Sequence, residues 1–111
     1  MAFQTLTVAE QPFQSYSQIT DNLVAATSTD LQFRNDGYTI LYFVATGTPT
    51  ITIESVPDNA ARLGDISFQL AANKVYAVGP LRPIWWNYGG VVQISLDATG
   101  GSSFLPVRYQ F

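Results

Sequence analysis

The clearest pattern along the chain is an alternation of apolar and polar residues with a period of two, interrupted by turn residues. It is sharpest in the segments 50–56, 66–70 and 91–96. Successive side chains of a β-strand point to opposite faces, so this pattern predicts strands with one buried face. No segment shows a helical stripe of useful length. The chain is therefore predicted to be an all-β protein.

The predicted strands are short and closely spaced, and they cover residues 3–8, 23–26, 31–33, 38–45, 50–56, 66–70, 75–78, 91–96 and 104–111. The turns between them are short. Asn35-Asp36-Gly37, for example, is typical of a tight turn that needs a residue with positive φ. Short connections favour antiparallel pairing, because a parallel crossover needs about a dozen residues or more. We therefore expect an antiparallel two-sheet β-sandwich with a jelly-roll-like topology.

Three segments carry more specific expectations. Residues 38–45 are almost continuously apolar, which predicts a central strand covered on both faces. Residues 79–90 combine prolines, glycines and aromatic residues, which predicts a long loop without regular structure. Residues 1–20, polar with scattered apolar positions, could begin with an ordinary first strand or form an extended N-terminal arm that adds to the sheet edge of a neighbour, and we favour the arm. No shift in composition divides the chain, so residues 1–111 are predicted to form a single domain.

Composition argues against several functional classes. The chain has no His and no Cys, so it lacks the most common general base, the most common metal ligand and every thiol nucleophile. The net charge of −3 and the five basic residues argue against nucleic-acid binding. The longest apolar run, residues 40–45, is far too short to span a bilayer, so no membrane segment is expected. Charged residues make up 12% of the chain, about half the usual ~25%, which suits a protein packed among others.

The carboxylates were considered as catalytic or cation-binding groups. Glu54 lies at an outward strand position, whereas Asp58, Asp65 and Asp97 lie in turns. An Asp beside Gly or Asn is explained by turn capping, and no loop has the ligand spacing of a Ca²⁺ site. We therefore expect no enzyme activity, no metal site and no cofactor.

The pair Trp85-Trp86 is the strongest candidate for an interaction site. Adjacent residues on an extended chain point in opposite directions, so one Trp is expected to seal the edge of the core and the other to be exposed. Three interpretations remain open for the exposed ring: packing within the loop, anchoring a protein interface, or stacking on a carbohydrate. Arg62 and Arg82 lie in predicted loops, where each could bind an acidic partner surface or a nearby Asp.

The order of the motifs from Phe33 to Tyr109 resembles that of the small decoration, or cement, proteins of tailed-bacteriophage heads. The resemblance is carried by Asn35-Asp36-Gly37, the T-I-T-I segment 50–53, the P-D and R-x-G-D motifs within 57–65, the G-P at 79–80, Pro83 and Trp86-Asn87. It implies a β-sandwich on the outer surface of the virion capsid, forming a homo-oligomer, a trimer at three-fold positions. Such a trimer would bind the major capsid protein and stabilise the head after assembly in the host cytoplasm.

From these observations we expect a structural protein that uses aromatic and arginine side chains to contact the capsid or a sister subunit. The predicted contact residues are Phe3, Leu6, Phe13 and Tyr16 of the arm, Arg62 and Arg82, and Pro83, Trp85, Trp86 and Tyr88. The alternative expectation is a carbohydrate-binding β-sandwich module on a phage head or tail, with the exposed Trp as the stacking platform.

Overall fold

The structure, a computed structural model, describes residues 3–11, 22–55 and 65–109. Within these residues the chain forms eleven strands and one turn of helix. They are β1 (Gln4–Leu6), β2 (Ala9–Gln11), β3 (Val24–Ala25), β4 (Asp30–Arg34), β5 (Thr39–Ala45), β6 (Thr50–Ile53), β7 (Ile66–Gln69), β8 (Tyr76–Val78), α1 (Pro83–Trp86), β9 (Asn87–Tyr88), β10 (Val91–Leu96) and β11 (Ser102–Tyr109). The all-β prediction is confirmed, and no helix in the described ranges has the length and apolar character needed to cross a membrane.

The strands form two sheets. One has the order β1-β4-β10-β6-β7, with β9 also paired to β10, and the other has the order β2-β11-β5-β8, with β3 also paired to β11. The longest pairing joins β5 to β11 in antiparallel register from Thr39↔Arg108 to Ala45↔Ser102. Buried residues of both sheets belong to one hydrophobic cluster, so the architecture is sandwich-like.

The prediction of purely antiparallel sheets is wrong, because the two N-terminal strands pair in parallel. In β1, Leu6 lies opposite Phe33 of β4, and in β2, Ala9 lies opposite Val107 of β11. Neither pairing joins two strands that are consecutive along the chain. The expectation that short connections produce antiparallel pairs therefore does not apply to them. Residues 4–11 are thus built into both sheets and do not form a free arm. Residues 1–2 and 12–20 of the predicted arm lie outside the described ranges.

The core lies between the sheets, around Phe43 of β5. Its ring centroid is 5.5 Å from that of Phe104 and 5.6 Å from that of Tyr76, which lies stacked against it. Residues on alternate positions of the opposing sheet, such as Ile51 and Ile94, are fully buried against this cluster. The alternation read from the sequence therefore assigned the buried face of β6 and β10 correctly.

Two further expectations are corrected. Strand β5 is not covered on both faces: its alternate residues Leu41 and Phe43 are fully buried, whereas Ile40 and Val44 are only half-buried. The segment 79–90 is not wholly irregular, since it contains α1 and β9. Pro83 begins the helical turn, where its missing N–H costs nothing.

Candidate interaction surface

The segment 79–90 lies at the end of the sandwich where β4 and β11 end and β5 begins. We call this region the loop end and define it as residues 34–38, 79–90 and Arg108. The segment leaves β8 through Gly79, whose φ is +122° and where a Cβ would lie 2.9 Å from the carbonyl oxygen of Thr39. Only glycine fits this close approach without strain. Leu81 then enters the core, which brings the rest of the segment back onto the sandwich.

Two asparagines join the segment to the Asn-Asp-Gly turn. Asn35 is only 7% exposed, and its Nδ2 donates to the carbonyl oxygen of Leu81 at 2.9 Å and to Oδ1 of Asn87 at 2.8 Å. Asn87 Nδ2 donates in return to the carbonyl oxygen of Asn35 at 2.6 Å, and Asn35 Oδ1 accepts from the N–H of Gly37 at 3.1 Å. Buried polar groups that are fully paired in this way hold their surroundings in one arrangement. The amide pair therefore orients the residues between Leu81 and Asn87.

Those residues include both tryptophans, and the structure assigns them different environments. Trp86 is 8% exposed and belongs to the core, as expected for one of the two rings. Trp85 is half-buried and packs against the core, and the Arg82 guanidinium lies 5.1 Å from the centre of its ring. The expectation that the second ring is exposed is thus met only in part. Arg82 and Pro83 are exposed beside it.

Tyr88 connects the loop end to the strand β6. Its hydroxyl donates to the carbonyl oxygen of Ser55, whose N–H donates in turn to Oδ1 of Asp65 at 2.9 Å. Burial and the nearby charges of Glu54 and Asp65 raise the pKa of Tyr88. Its hydroxyl is therefore neutral at physiological pH and already engaged within the protein, so only the half-buried ring is presented at the surface.

A charged network occupies the adjoining part of the loop end. Arg108 Nε lies 2.5 Å from Oδ2 of Asp36, and Arg108 Nη1 lies 3.3 Å from Oε1 of Glu10. The hydrogen bond from Arg108 lowers the pKa of Asp36. The same guanidinium lies 5.9 Å from the ring centre of Tyr38, which is 52% exposed. Arg108, Asp36 and Glu10, together with Arg34, border a surface pocket of about 320 Å³.

Two other carboxylates accept hydrogen bonds from the backbone of separate segments. Asp65 Oδ1 accepts from the N–H of Ser55 at 2.9 Å, and Asp97 Oδ1 accepts from the N–H of Thr50 at 2.9 Å at the opposite end of the sandwich. Capping of each residue's own turn stays a prediction, and Asp58 lies outside the described residues. Among the described residues no three or more Asp or Glu side chains converge as a metal site would require.

The structure places the predicted contact residues unequally. Arg82, Pro83, Trp85 and Tyr88 come together at the loop end, and Trp86 lies beneath them. Leu6 of β1 is buried at 3% exposure, and Phe3, which precedes β1, is 37% exposed. Leu6 and Trp86 are thus core residues, and we do not assign them to the surface that contacts a partner. Phe13, Tyr16 and Arg62 lie outside the described residues.

Sequence reasoning missed Asn35, Asn87, Tyr38 and the Arg34–Arg108 pocket. The sequence predicts Asn35 only as a turn residue, and nothing in the local pattern indicates that its amide is buried. Arg108 and Asp36 are 72 positions apart, so their pairing has no local signal. Tyr38 could have been noticed as a large apolar residue next to a tight turn.

Comparison of the chain with protein-family models, with curated proteins and with solved structures found no match in any of the three.

Proposed function

We propose that this protein is a structural virion protein, a capsid decoration or cement subunit that binds the outer surface of the major capsid protein shell and stabilises the head. The family proposal derives from the order of the motifs between Phe33 and Tyr109. The jelly-roll-like topology and the trimer belong to it. The loop end is the surface that we assign to the partner, either the capsid or a sister subunit.

The observation that carries the assignment of the surface is the composition and anchoring of the loop end. It presents Trp85, Tyr38 and Arg82 beside Pro83. Trp, Tyr and Arg are the residue types that most often dominate binding energy at protein interfaces. The hydrogen-bonded amides of buried Asn35 and half-buried Asn87 hold this surface in place, so little conformational entropy remains to be lost on binding.

A trimer would increase the strength of attachment. A standard interface of about 1,600 Å² supports stable binding when anchor residues fill pockets. When one oligomer engages several equivalent sites, the second and third binding events become intramolecular and attachment strengthens without new contacts. This suits a subunit that holds adjacent capsid proteins together.

The second candidate is a carbohydrate-binding module that uses the Trp85 ring. A sugar needs a free aromatic face on which to stack. Because the Arg82 guanidinium lies 5.1 Å from the ring centre, one face of Trp85 is already occupied. A glycan would have to use the other, half-buried face or displace Arg82, so the geometry favours the protein interface.

The test is co-sedimentation of the purified protein with expanded heads that lack it, titrated to saturation. We expect saturable uptake in a ratio that icosahedral symmetry allows. Trp85→Ala and Arg82→Ala are expected to weaken uptake at least tenfold, whereas Lys74→Ala, at an exposed turn outside the loop end, retains wild-type uptake. Urea unfolding of each variant controls for loss of fold.

Two results would contradict the proposal. Absence of uptake by the wild-type protein at every salt concentration would remove the decoration function. Equal uptake by folded Trp85→Ala, Arg82→Ala and Lys74→Ala would remove the loop end as the contact surface. Saturable quenching of Trp fluorescence by a glycan would instead support the carbohydrate-binding module.

A further inference from the structure

We propose that the pocket of the loop end receives a carboxylate side chain from the partner protein and that Arg34 is the residue that pairs with it. This inference rests on the proposed function, because it names the chemistry of the partner at the same surface. The pocket is bordered by Val8, Glu10, Arg34, Asn35, Asp36, Thr39, Gly90 and Arg108.

The charged groups around the pocket are unevenly paired. Two guanidinium groups and two carboxylates border it, but both carboxylates pair with the same guanidinium. Asp36 lies 2.5 Å and Glu10 lies 3.3 Å from Arg108. Arg34 is exposed and has neither an ion pair nor a hydrogen bond from its side chain to any of the residues that the structure describes. The four formal charges sum to zero, but Arg34 is the one charged group at the pocket that makes no ion pair within the described residues.

The backbone of Arg34 is held in a fixed position. Arg34 is the last residue of β4 and lies opposite Val91 of β10 in the sheet. The next residue, Asn35, is buried and donates to the carbonyl oxygen of Leu81 at 2.9 Å. The backbone of Arg34 is therefore held on both sides, and a partner carboxylate has only the side chain to order. The planar guanidinium can bind a carboxylate through two parallel hydrogen bonds.

The pocket restricts both the size and the charge of the group that it can receive. The pocket volume of about 320 Å³ corresponds to roughly ten water molecules at ~30 Å³ each, which is room for an acidic side chain with some of its hydration water. Glu10 and Asp36 border the same pocket and repel further negative charge. A carboxylate brings one negative charge, whereas a phosphate monoester brings about two, so these neighbours favour the carboxylate.

A second arginine extends the same surface. Arg82 contacts the ring of Trp85 and has no ion pair with the described residues. The hydrogen bond from Asn35 to Leu81 places the residues next to Arg34 and Arg82 in direct contact. An acidic segment of a protein can therefore pair with Arg34 in the pocket and continue past Arg82 along the loop end. This extends the surface proposed above and gives it a preference for an acidic partner.

The first test uses a small probe and no capsid. The side-chain Nε–H resonances of ¹⁵N-labelled protein are followed by NMR during titration with N-acetylglutamate N-methylamide, and in parallel with the N-acetylglutamine analogue. We expect saturable millimolar binding of the glutamate probe at Arg34, weakened at least fivefold by Arg34→Gln and unchanged by Lys74→Gln. Equal binding of the glutamine probe, insensitivity to Arg34→Gln, or tighter binding of inorganic phosphate would overturn the proposal.

The second test separates this inference from the proposed function. Arg34→Glu is expected to lower uptake onto heads at least tenfold, and Arg34→Lys is expected to retain part of it. If the probe binds at Arg34 but wild-type protein does not sediment with heads, the pocket stands and the decoration function fails. If wild-type protein and Arg34→Glu sediment equally and the probe does not bind, the decoration function stands and the carboxylate pocket is wrong.

Discussion

The pairing of Asn35 with Asn87 is expected to be a principal determinant of the loop end, and alanine substitutions can measure it. Asn35→Ala removes three side-chain hydrogen bonds, to Leu81, Asn87 and Gly37. A hydrogen bond contributes about 0.5–1.5 kcal/mol net, so the expected loss in the free energy of unfolding is about 3 kcal/mol. Asn87→Ala removes two hydrogen bonds, which corresponds to about 2 kcal/mol.

The double variant tests the geometry directly. One hydrogen bond, from Asn35 Nδ2 to Asn87 Oδ1, is lost in either single variant and cannot be lost twice. The double variant should therefore be destabilised by about 4 kcal/mol, roughly 1 kcal/mol less than the sum of the single variants. A domain of this size has a stability of about 5–15 kcal/mol, so the double variant is expected to remain folded at low temperature.

Urea unfolding followed by far-UV circular dichroism measures these changes. With a slope of about 1–3 kcal/mol per M of urea, Asn35→Ala should lower the midpoint by at least about 1 M. Because the pair orients the segment that carries Trp86, native Trp emission should also shift to longer wavelength. Gln93→Ala, which removes an amide that forms no side-chain hydrogen bond among the described residues, is the control. Strict additivity of the two substitutions, or single losses below about 0.5 kcal/mol, would refute the reasoning.

Two further predictions follow from backbone geometry and from the pKa of a tyrosine. Gly100 has φ +54°, and a Cβ there would lie 2.8 Å from Cδ of Pro49. Gly89 has φ +61°, but no atom lies within 4 Å of such a Cβ, so Gly89→Ala carries only the backbone strain of about 1–2 kcal/mol. Gly100→Ala should therefore be clearly more destabilising than Gly89→Ala. Equal urea midpoints would contradict this. Burial and the hydroxyl of Tyr42 raise the pKa of Tyr109 to about 12 from 10.0. Between these two values the folded state retains a proton that the unfolded state loses. The contribution of this group to stability is therefore present below pH 10 and is lost as the pH rises to 12. Tyr109→Phe should make the urea midpoint fall less steeply over that range, and an unchanged profile would exclude Tyr109 as the source.

Much of the local structure could be predicted because its causes are local. Alternation identified the buried residues of β6 and β10, and Val92 and Ile94 are fully buried as expected. Asn-Asp-Gly predicted a tight turn, and Gly37 has φ +98° there. The period of two depends only on neighbouring residues, so it survives without knowledge of the partner strand.

The candidate site was predicted in part. Residues 79–90 were singled out because aromatic and proline residues cluster there in the sequence, and Arg82, Pro83 and Trp85 do lie together at the surface. The sequence does not decide which Trp enters the core, because either of two adjacent rings can point inward. The helical turn α1 sets their directions. The structure assigns Trp86 to the core and leaves Trp85 under Arg82.

The sequence by itself determined that this chain builds strands, where most of them lie, which of their faces are apolar, and that it must work without His or Cys. Only the tertiary structure decided that β1 pairs in parallel with β4 and β2 with β11, and that Asn35 is buried against Asn87. It also decided that Arg108 pairs with both Asp36 and Glu10, so that Arg34 has no ion pair within the described part of the chain. The physical reason is the separation along the chain over which each interaction acts. Alternation and turn chemistry act between neighbours along the chain, whereas strand pairing, burial of an amide and the sharing of charges depend on residues brought together from distant segments.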